Sequence, residues 1–241
     1  MRSAVRRRVP AALFRTLAIP LVLLGTALGC GTSNGTSKST PEEWSIQERL
    51  AERLKQDTRV DSFTLGADRG RVRGESSAPV WVVIVSDFQC PTCKQWHDEV
   101  YPILLKNYVE TGRVRMAYVN MPLPEHLNAM ASAIAGGCAS KQGKFWETHE
   151  RIFETQRQWK DLPDARPYLD SLAIAAGADA GPLRICTERA MSTKLVRTDM
   201  ERSKAAGVES LPTFFIGRHT LVGPAPVAAF RAVIDSALAG K

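Results

Sequence analysis

Val80-Trp81-Val82-Val83-Ile84-Val85-Ser86-Asp87-Phe88-Gln89-Cys90-Pro91-Thr92-Cys93 is the most informative stretch of the chain. The unbroken, mostly β-branched run from Val80 to Val85 predicts a strand buried on both faces, which implies a sheet covered by helices. Cys90 to Glu110 reads as a helix, with Trp96, Val100, Ile103 and Leu104 forming an apolar stripe and Pro102 marking a kink. Gly112 closes it, and Val114 to Val119 reads as a second strand. Cys90 therefore falls where strand passes into helix. Unpaired backbone N–H groups and the positive end of the macrodipole favour a thiolate there. Pro91, in the first turn, gives up no needed donor. Cys93, one turn on, is placed to resolve a mixed disulfide formed at Cys90. By itself the CxxC spacing suits zinc as well.

Downstream, Pro124 to Ala206 has helical character throughout: His126–Ser140 is Ala-rich, Lys144–Gln156 is amphipathic, and further helices are expected over Tyr168–Ala176 and Pro182–Ala206. Strand character returns at Thr213–Ile216 and Thr220–Val222, before a last helix from Val227 to Leu238. The fold class this order predicts is α/β, with an all-helical domain inserted in a small sheet unit. A second notable segment is Ser210-Leu211-Pro212-Thr213-Phe214-Phe215-Ile216. Proline opening an apolar strand belongs at a start or an edge. A cis Leu211-Pro212 bond would present the Leu211 backbone to an extended peptide.

Upstream, Gly66, Gly70 and Gly74 punctuate short extended pieces between Val60 and Ser77, and Thr40-Pro41-Glu42-Glu43 starts a helix running to about Gln56. The apolar run Leu17–Leu28 is 12 residues, too short for a bilayer span of roughly 20. With the arginines before it, it matches a secretory signal peptide. Ala27-Leu28-Gly29-Cys30 resembles a bacterial lipobox, which implies a lipidated Cys30 and a flexible Gly/Ser/Thr tether behind it. The alternative is a secreted chain cut near Ala27. The boundaries are thus 1–29 signal, 30–40 tether, 41–76 helix and lead-in, 77–123 first sheet half, 124–206 helical insertion and 207–241 second sheet half.

Composition narrows the function classes. With 44% apolar residues in 241 the chain can bury a sizeable core. Its net charge of +7 resides largely in Arg2, Arg6, Arg7, Arg8 and Arg15, and the remainder holds 27 basic residues against 25 acidic. A nucleic-acid partner loses its main support. Without Cys30, the five cysteines become four, Cys90, Cys93, Cys138 and Cys186, which permits two disulfides in an exported chain.

Ser86–Pro102 (SDFQCPTCKQWHDEVYP), Gly136–Gln156 (GGCASKQGKFWETHERIFETQ) and Gly207–Gly217 (GVESLPTFFIG) together resemble the DsbA-like thiol-disulfide oxidoreductases of the thioredoxin fold. The resemblance spans roughly Ser77 to Leu238. It implies that Cys90 attacks, Cys93 resolves, Pro212 is the cis-proline facing them, and the helical block is the family's insertion. It implies a structural Cys138–Cys186 disulfide, with two inert buried thiols as the alternative. Substrates would be protein or peptide thiols and disulfides, served by an unidentified membrane redox partner, with no cofactor and no metal. The oxidase direction is favoured over reductase; an isomerase would want a dimerisation domain before the fold. Thr92 stands where the strongest oxidants carry histidine, Leu211 where threonine or valine is usual, and Ile84 where many relatives place a buried carboxylate.

Competing readings attach to several residues. His97, four beyond Cys93, allows a membrane-tethered copper or zinc chaperone built on Cys90, Cys93 and His97. On the redox reading His97 is a helix-surface residue that supports the thiolate. Asp87 either tunes the site or caps the loop. Phe145, Trp146, Phe153 and Trp159 are expected in the core rather than on a peptide-binding surface; Phe88 and Trp96 suit either the core or an apolar rim.

Overall fold

The computed structural model describes residues 68–240. The leader, Cys30, the tether and the helix expected from Pro41 to Gln56 lie outside the described residues. The sheet has five strands, β1 (Val72–Arg73), β2 (Val80–Ser86), β3 (Val114–Asn120), β4 (Thr213–Ile216) and β5 (His219–Val222), in the order β1-β3-β2-β4-β5. β2 and β3 run parallel, and the other pairs are antiparallel. The central β2 pairs Ile84 with Tyr118 on one side and with Phe214 on the other. Its burial on both faces holds only from Ile84 onward. Trp81 is 42% exposed, with the Arg115 guanidinium 4.8 Å from its ring centroid.

The helix after β2 is shorter than its apolar stripe suggested. α1 (Pro91–Glu99) ends at Val100, and the chain continues as α2 (Tyr101–Leu104) and a π-helical turn, Leu105–Val109. Pro102 has no N–H to offer Asp98, so the helical ladder breaks just ahead of it. Glu110 N–H then donates to the Leu105 carbonyl, five residues back, and Gly112, at φ 70°, turns the chain into β3.

Between β3 and β4 lie six helices: α3 (Ala129–Ser140), α4 (Phe145–Glu154), α5 (Gln156–Trp159), α6 (Arg166–Ala175), α7 (Ala180–Glu188) and α8 (Thr193–Ala205). The helical stretch expected over Pro182–Ala206 is two helices. Ala190 adopts φ 46° and the Met191 N–H donates to the Cys186 carbonyl, a Schellman-type ending made without glycine. Gly137 explains the tight seat of that turn: a Cβ there would meet Ser192 Cβ at 2.7 Å. The closing helix, α9 (Val227–Ala239), lays Phe230 against Phe214 of β4, which in turn packs on Trp96 of α1. Phe88, Trp96, Phe145, Trp146, Phe153 and Trp159 are all buried, so Phe88 and Trp96 belong to the core and form no substrate rim.

Candidate active site

Cys90 is the N-cap residue of α1, in extended conformation (φ −67°, ψ 127°), and Pro91 is the first helical residue. Its carbonyl accepts from Lys94 N–H, while its own N–H donates to Asp87 O. The sulfur therefore sits among the free N–H groups of the first turn. Both Cys90 and Cys93 are free thiols and both are buried, yet their acidities diverge. A hydrogen bond from Cys93 lowers the Cys90 thiol to about 6, against the burial that raises it; the Thr92 hydroxyl and the N–H groups of Cys93 and Thr92 assist. Burial pushes Cys93 well above the ordinary thiol value, and a thiolate at Cys90 pushes it further. One sulfur is poised to ionise and the other to stay protonated.

The Leu211-Pro212 bond is cis. Its loop is pinned to the mouth of α1 by the Thr92 hydroxyl, which donates to Leu211 O at 3.0 Å, and Thr92 Oγ1 lies 3.0 Å from Cys90 Sγ. On the far side, Thr213 Oγ1 donates to Ser210 O and Gly223 N–H donates to Pro212 O. Structure thus gathers Cys90, Pro91, Thr92, Cys93, Leu211 and Pro212 into one place from segments more than a hundred residues apart.

Asp87 acts on the loop. Its buried carboxylate accepts from Gln89 N–H at 2.8 Å, Leu123 N–H at 2.9 Å and His126 Nδ1 at 2.6 Å. Burial raises its pKa above the ordinary carboxylate value, opposed by these donors. The carboxylate clamps the β2–α1 loop to the segment after β3. Three further side chains, not singled out by sequence, complete that clamp. Gln156 Nε2 donates to Phe88 O at 2.8 Å and Cys90 O at 3.1 Å. Gln89 Nε2 donates to Lys160 O and Gln89 Oε1 accepts from Asn128 N–H, while Asn128 Nδ2 reaches the carbonyls of Lys160 and Leu162. Buried amides in place of apolar residues were their only sequence signal.

His97 requires a correction. It is 6% exposed, lying against Phe153 (ring centroids 4.8 Å apart) and Tyr101 (5.3 Å), rather than on the helix surface. It lies on the side of α1 that α4 covers, whereas Trp96 points toward Phe214 and Phe230. Desolvation lowers its pKa, opposed by Asp98. Among the described residues no three His, Cys, Asp or Glu side chains gather as metal ligands. The copper or zinc alternative on Cys90, Cys93 and His97 thereby loses its ligand set.

The second pair is bonded: Cys138 in the last turn of α3 joins Cys186 in the last turn of α7, their Cα atoms 5.8 Å apart.

Comparison with known proteins agrees with this architecture. The thioredoxin family description "Thioredoxin" matches residues 67–236. The chain is 31% identical over 173 residues to the Na(+)/H(+) antiporter NhaA 3 of Salinispora tropica, covering 71% of this chain but 25% of that protein. It thus spans about a quarter of the antiporter's length. It is 24% identical to Disulfide bond formation protein D of Bacillus subtilis, over 70% of this chain and 78% of the relative. The crystal structure of oxidised BdbD from Bacillus subtilis superposes with a TM-score of 0.66 at 24% identity, covering 71% of this chain and 95% of that one. With the family match covering most of its length, the chain belongs to the thioredoxin family, and a helical block lies between the two halves of its sheet.

Proposed function

We propose that the protein exchanges disulfides with protein or peptide substrates through a mixed disulfide at Cys90, in the oxidising direction. In that cycle a substrate thiolate attacks Cys90 Sγ of the Cys90–Cys93 disulfide. Cys93 leaves and takes a proton from water. A second substrate thiolate then attacks the substrate sulfur of the mixed disulfide, and Cys90 leaves as a thiolate. The substrate loses two electrons, the 90–93 pair gains them, and a membrane redox partner removes them. The observation that carries the reading is the place of Cys90, at the N-cap of α1 with Thr92 Oγ1 3.0 Å from its sulfur and tied to the Leu211 carbonyl, an arrangement that, with the hydrogen bond from Cys93, lowers its thiol while burial raises Cys93. A stabilised leaving thiolate makes the reduced form the favoured product, which is what an oxidant needs. The name of the Bacillus relative, a disulfide bond formation protein, points the same way.

The working place in this reading is the cell envelope, with Cys30 lipidated and holding the protein to a membrane. Its support is the sequence: an arginine-rich start, a short apolar run and a cysteine ahead of a flexible tether. Intact mass of the mature protein tests it, and an unmodified Cys30 overturns it. For the chemistry, the test is equilibration of the 90–93 pair with glutathione buffers beside oxidation of a dithiol peptide. The oxidase reading expects a pair more oxidising than glutathione and rapid peptide oxidation. A pair that glutathione cannot reduce would reverse the direction.

A further inference from the structure

Thr92 Oγ1 stands between two groups that compete for it, 3.0 Å from Cys90 Sγ and 3.0 Å from the Leu211 carbonyl oxygen. A hydroxyl carries one hydrogen, and a carbonyl can only accept. In the dithiol form the arrangement closes without conflict: the Cys90 S–H donates to Thr92 Oγ1, and the Thr92 O–H donates to Leu211 O. Ionisation of Cys90 breaks this order. The sulfur then has no hydrogen to give and becomes the strongest acceptor in reach, since hydrogen bonds to ionised groups are about twice as strong as neutral ones. The hydroxyl turns to the sulfur and Leu211 O loses its partner. When Cys90 is part of a disulfide its sulfur is a weak acceptor, and the hydroxyl returns to Leu211.

We propose that Thr92 is a one-hydrogen switch linking the charge on Cys90 to the hydrogen-bonding state of the Leu211 carbonyl, so that the thiolate and an extended peptide docked at Leu211 favour one another. The inference rests on the exchange reading above, in which Cys90 reacts, and on the sequence expectation that the Leu211 backbone meets an extended peptide. A carbonyl oxygen that already accepts from a peptide N–H holds a second donor less firmly, which releases Thr92 toward the sulfur. Linkage makes the effect reciprocal: docking favours loss of the Cys90 proton to water, and the thiolate form docks peptide more tightly than the disulfide form. The other titratable groups about the sulfur are Cys93 of α1, Tyr118 of β3 and Asp87 of the intervening loop. Cys93 and Tyr118 are raised well above their usual values and stay neutral while Cys90 titrates; Asp87 is raised from the usual carboxylate value and held by His126. Thr92 touches the reacting sulfur itself in this scheme, so its role is catalytic and not merely structural.

The test is a titration of the reduced protein by thiolate ultraviolet absorbance, with and without a blocked peptide of valine, alanine and serine, which has no thiol and nothing that titrates. In the wild type, saturating peptide is expected to raise the thiolate fraction below the midpoint by a factor of about two or more. Thr92→Val, which keeps the shape and removes the hydroxyl, is expected to cut the thiolate fraction there about ten-fold and to abolish the response to peptide. Thr92→Ser is expected to restore both. A wild-type titration unmoved by peptide, a Val variant that titrates like the wild type, or a Val variant that still responds overturns the switch. Failure of the exchange reading looks different: the wild type forms no mixed disulfide with a thiol-bearing peptide.

Discussion

The two cysteine pairs have nearly the same exposure, 6% and 0% for Cys90 and Cys93 against 1% and 5% for Cys138 and Cys186. Solvent access therefore does not separate them. Helix polarity does. Cys90 caps the N-terminus of α1, where unpaired N–H groups and the positive dipole end stabilise a thiolate. Cys138 and Cys186 lie in the last turns of α3 and α7, at the negative ends, among Ala139, Ala173, Ala178 and Leu183. A thiolate there would face the negative end of its helix, with the Ser192 hydroxyl 3.8 Å from Cys138 Sγ, so reduction is disfavoured and attack on other disulfides is too. On the proposed reading, the same atom is a reagent at one end of a helix and a staple at the other.

The most drastic way to break the contrast is to remove one sulfur of each pair. Cys90→Ser should abolish dithiol oxidation outright, and Cys93→Ser should retain attack but accumulate mixed disulfides, visible by non-reducing electrophoresis. Full activity in Cys90→Ser would refute the assignment. The joint replacement Cys138→Ala and Cys186→Ala should leave exchange at Cys90 in place. Chain-entropy estimates for the 48-residue separation give a stability loss of about 4 kcal/mol in denaturant titration. If that double variant loses exchange while remaining folded, the staple is part of the reaction after all.

How much of this contrast was legible beforehand depended on the range of the interactions involved. The strand Val80–Ser86, the helix opening at Pro91 and the strand opening at Thr213 follow from local pattern and turn chemistry, and they appear as expected. The placement of Cys90 at the N-terminus of α1 was legible for the same reason. The break at Ala190 was not, because a left-handed alanine has no composition signal and is held by the packing of Ser192 against Gly137. His97 was misplaced because four residues after Cys93 says nothing of which side of α1 is roofed by α4. The clamp of Gln89, Asn128 and Gln156 joins segments up to 71 residues apart, and no local period reports such contacts.

Proton linkage sharpens the comparison at a smaller scale. In the reduced protein the Cys90 thiol lies at about 6, below its unfolded value of 9.0. Its contribution to stability is therefore fully present above pH 9 and is lost as pH falls toward 6. Cys93, raised instead, exerts its opposing effect only above 9. Neither thiol titrates in the oxidised form. The stability of the reduced protein relative to the oxidised protein should thus fall on acidification through this window, by roughly 2 kcal/mol after allowance for screening. Parallel pH curves for the two redox forms would contradict a stabilised Cys90 thiolate.

The smallest effect isolates a pH response that does not belong to sulfur. His149 is fully buried on α4 with neither ring nitrogen hydrogen-bonded, enclosed by rings that include Phe153 at 5.0 Å, Tyr118 at 5.1 Å and Trp146 at 5.2 Å. Desolvation lowers its pKa well below 6.5, with the charges of His97 and Arg73 acting in the same direction. Its linkage follows the depressed-pKa case: stability is present above 6.5 and lost as pH falls below, because the unfolded chain takes a proton that the folded chain refuses. This slope is shared by both redox forms. His149→Phe removes the unpaired polar atoms and should raise stability at neutral pH by about 1 kcal/mol. The acid slope of the oxidised protein should flatten, while the difference between reduced and oxidised forms stays as in the wild type. A variant that alters that difference would mean the buried imidazole communicates with Cys90, and the division between a reactive helix end and an inert aromatic core would have to be redrawn.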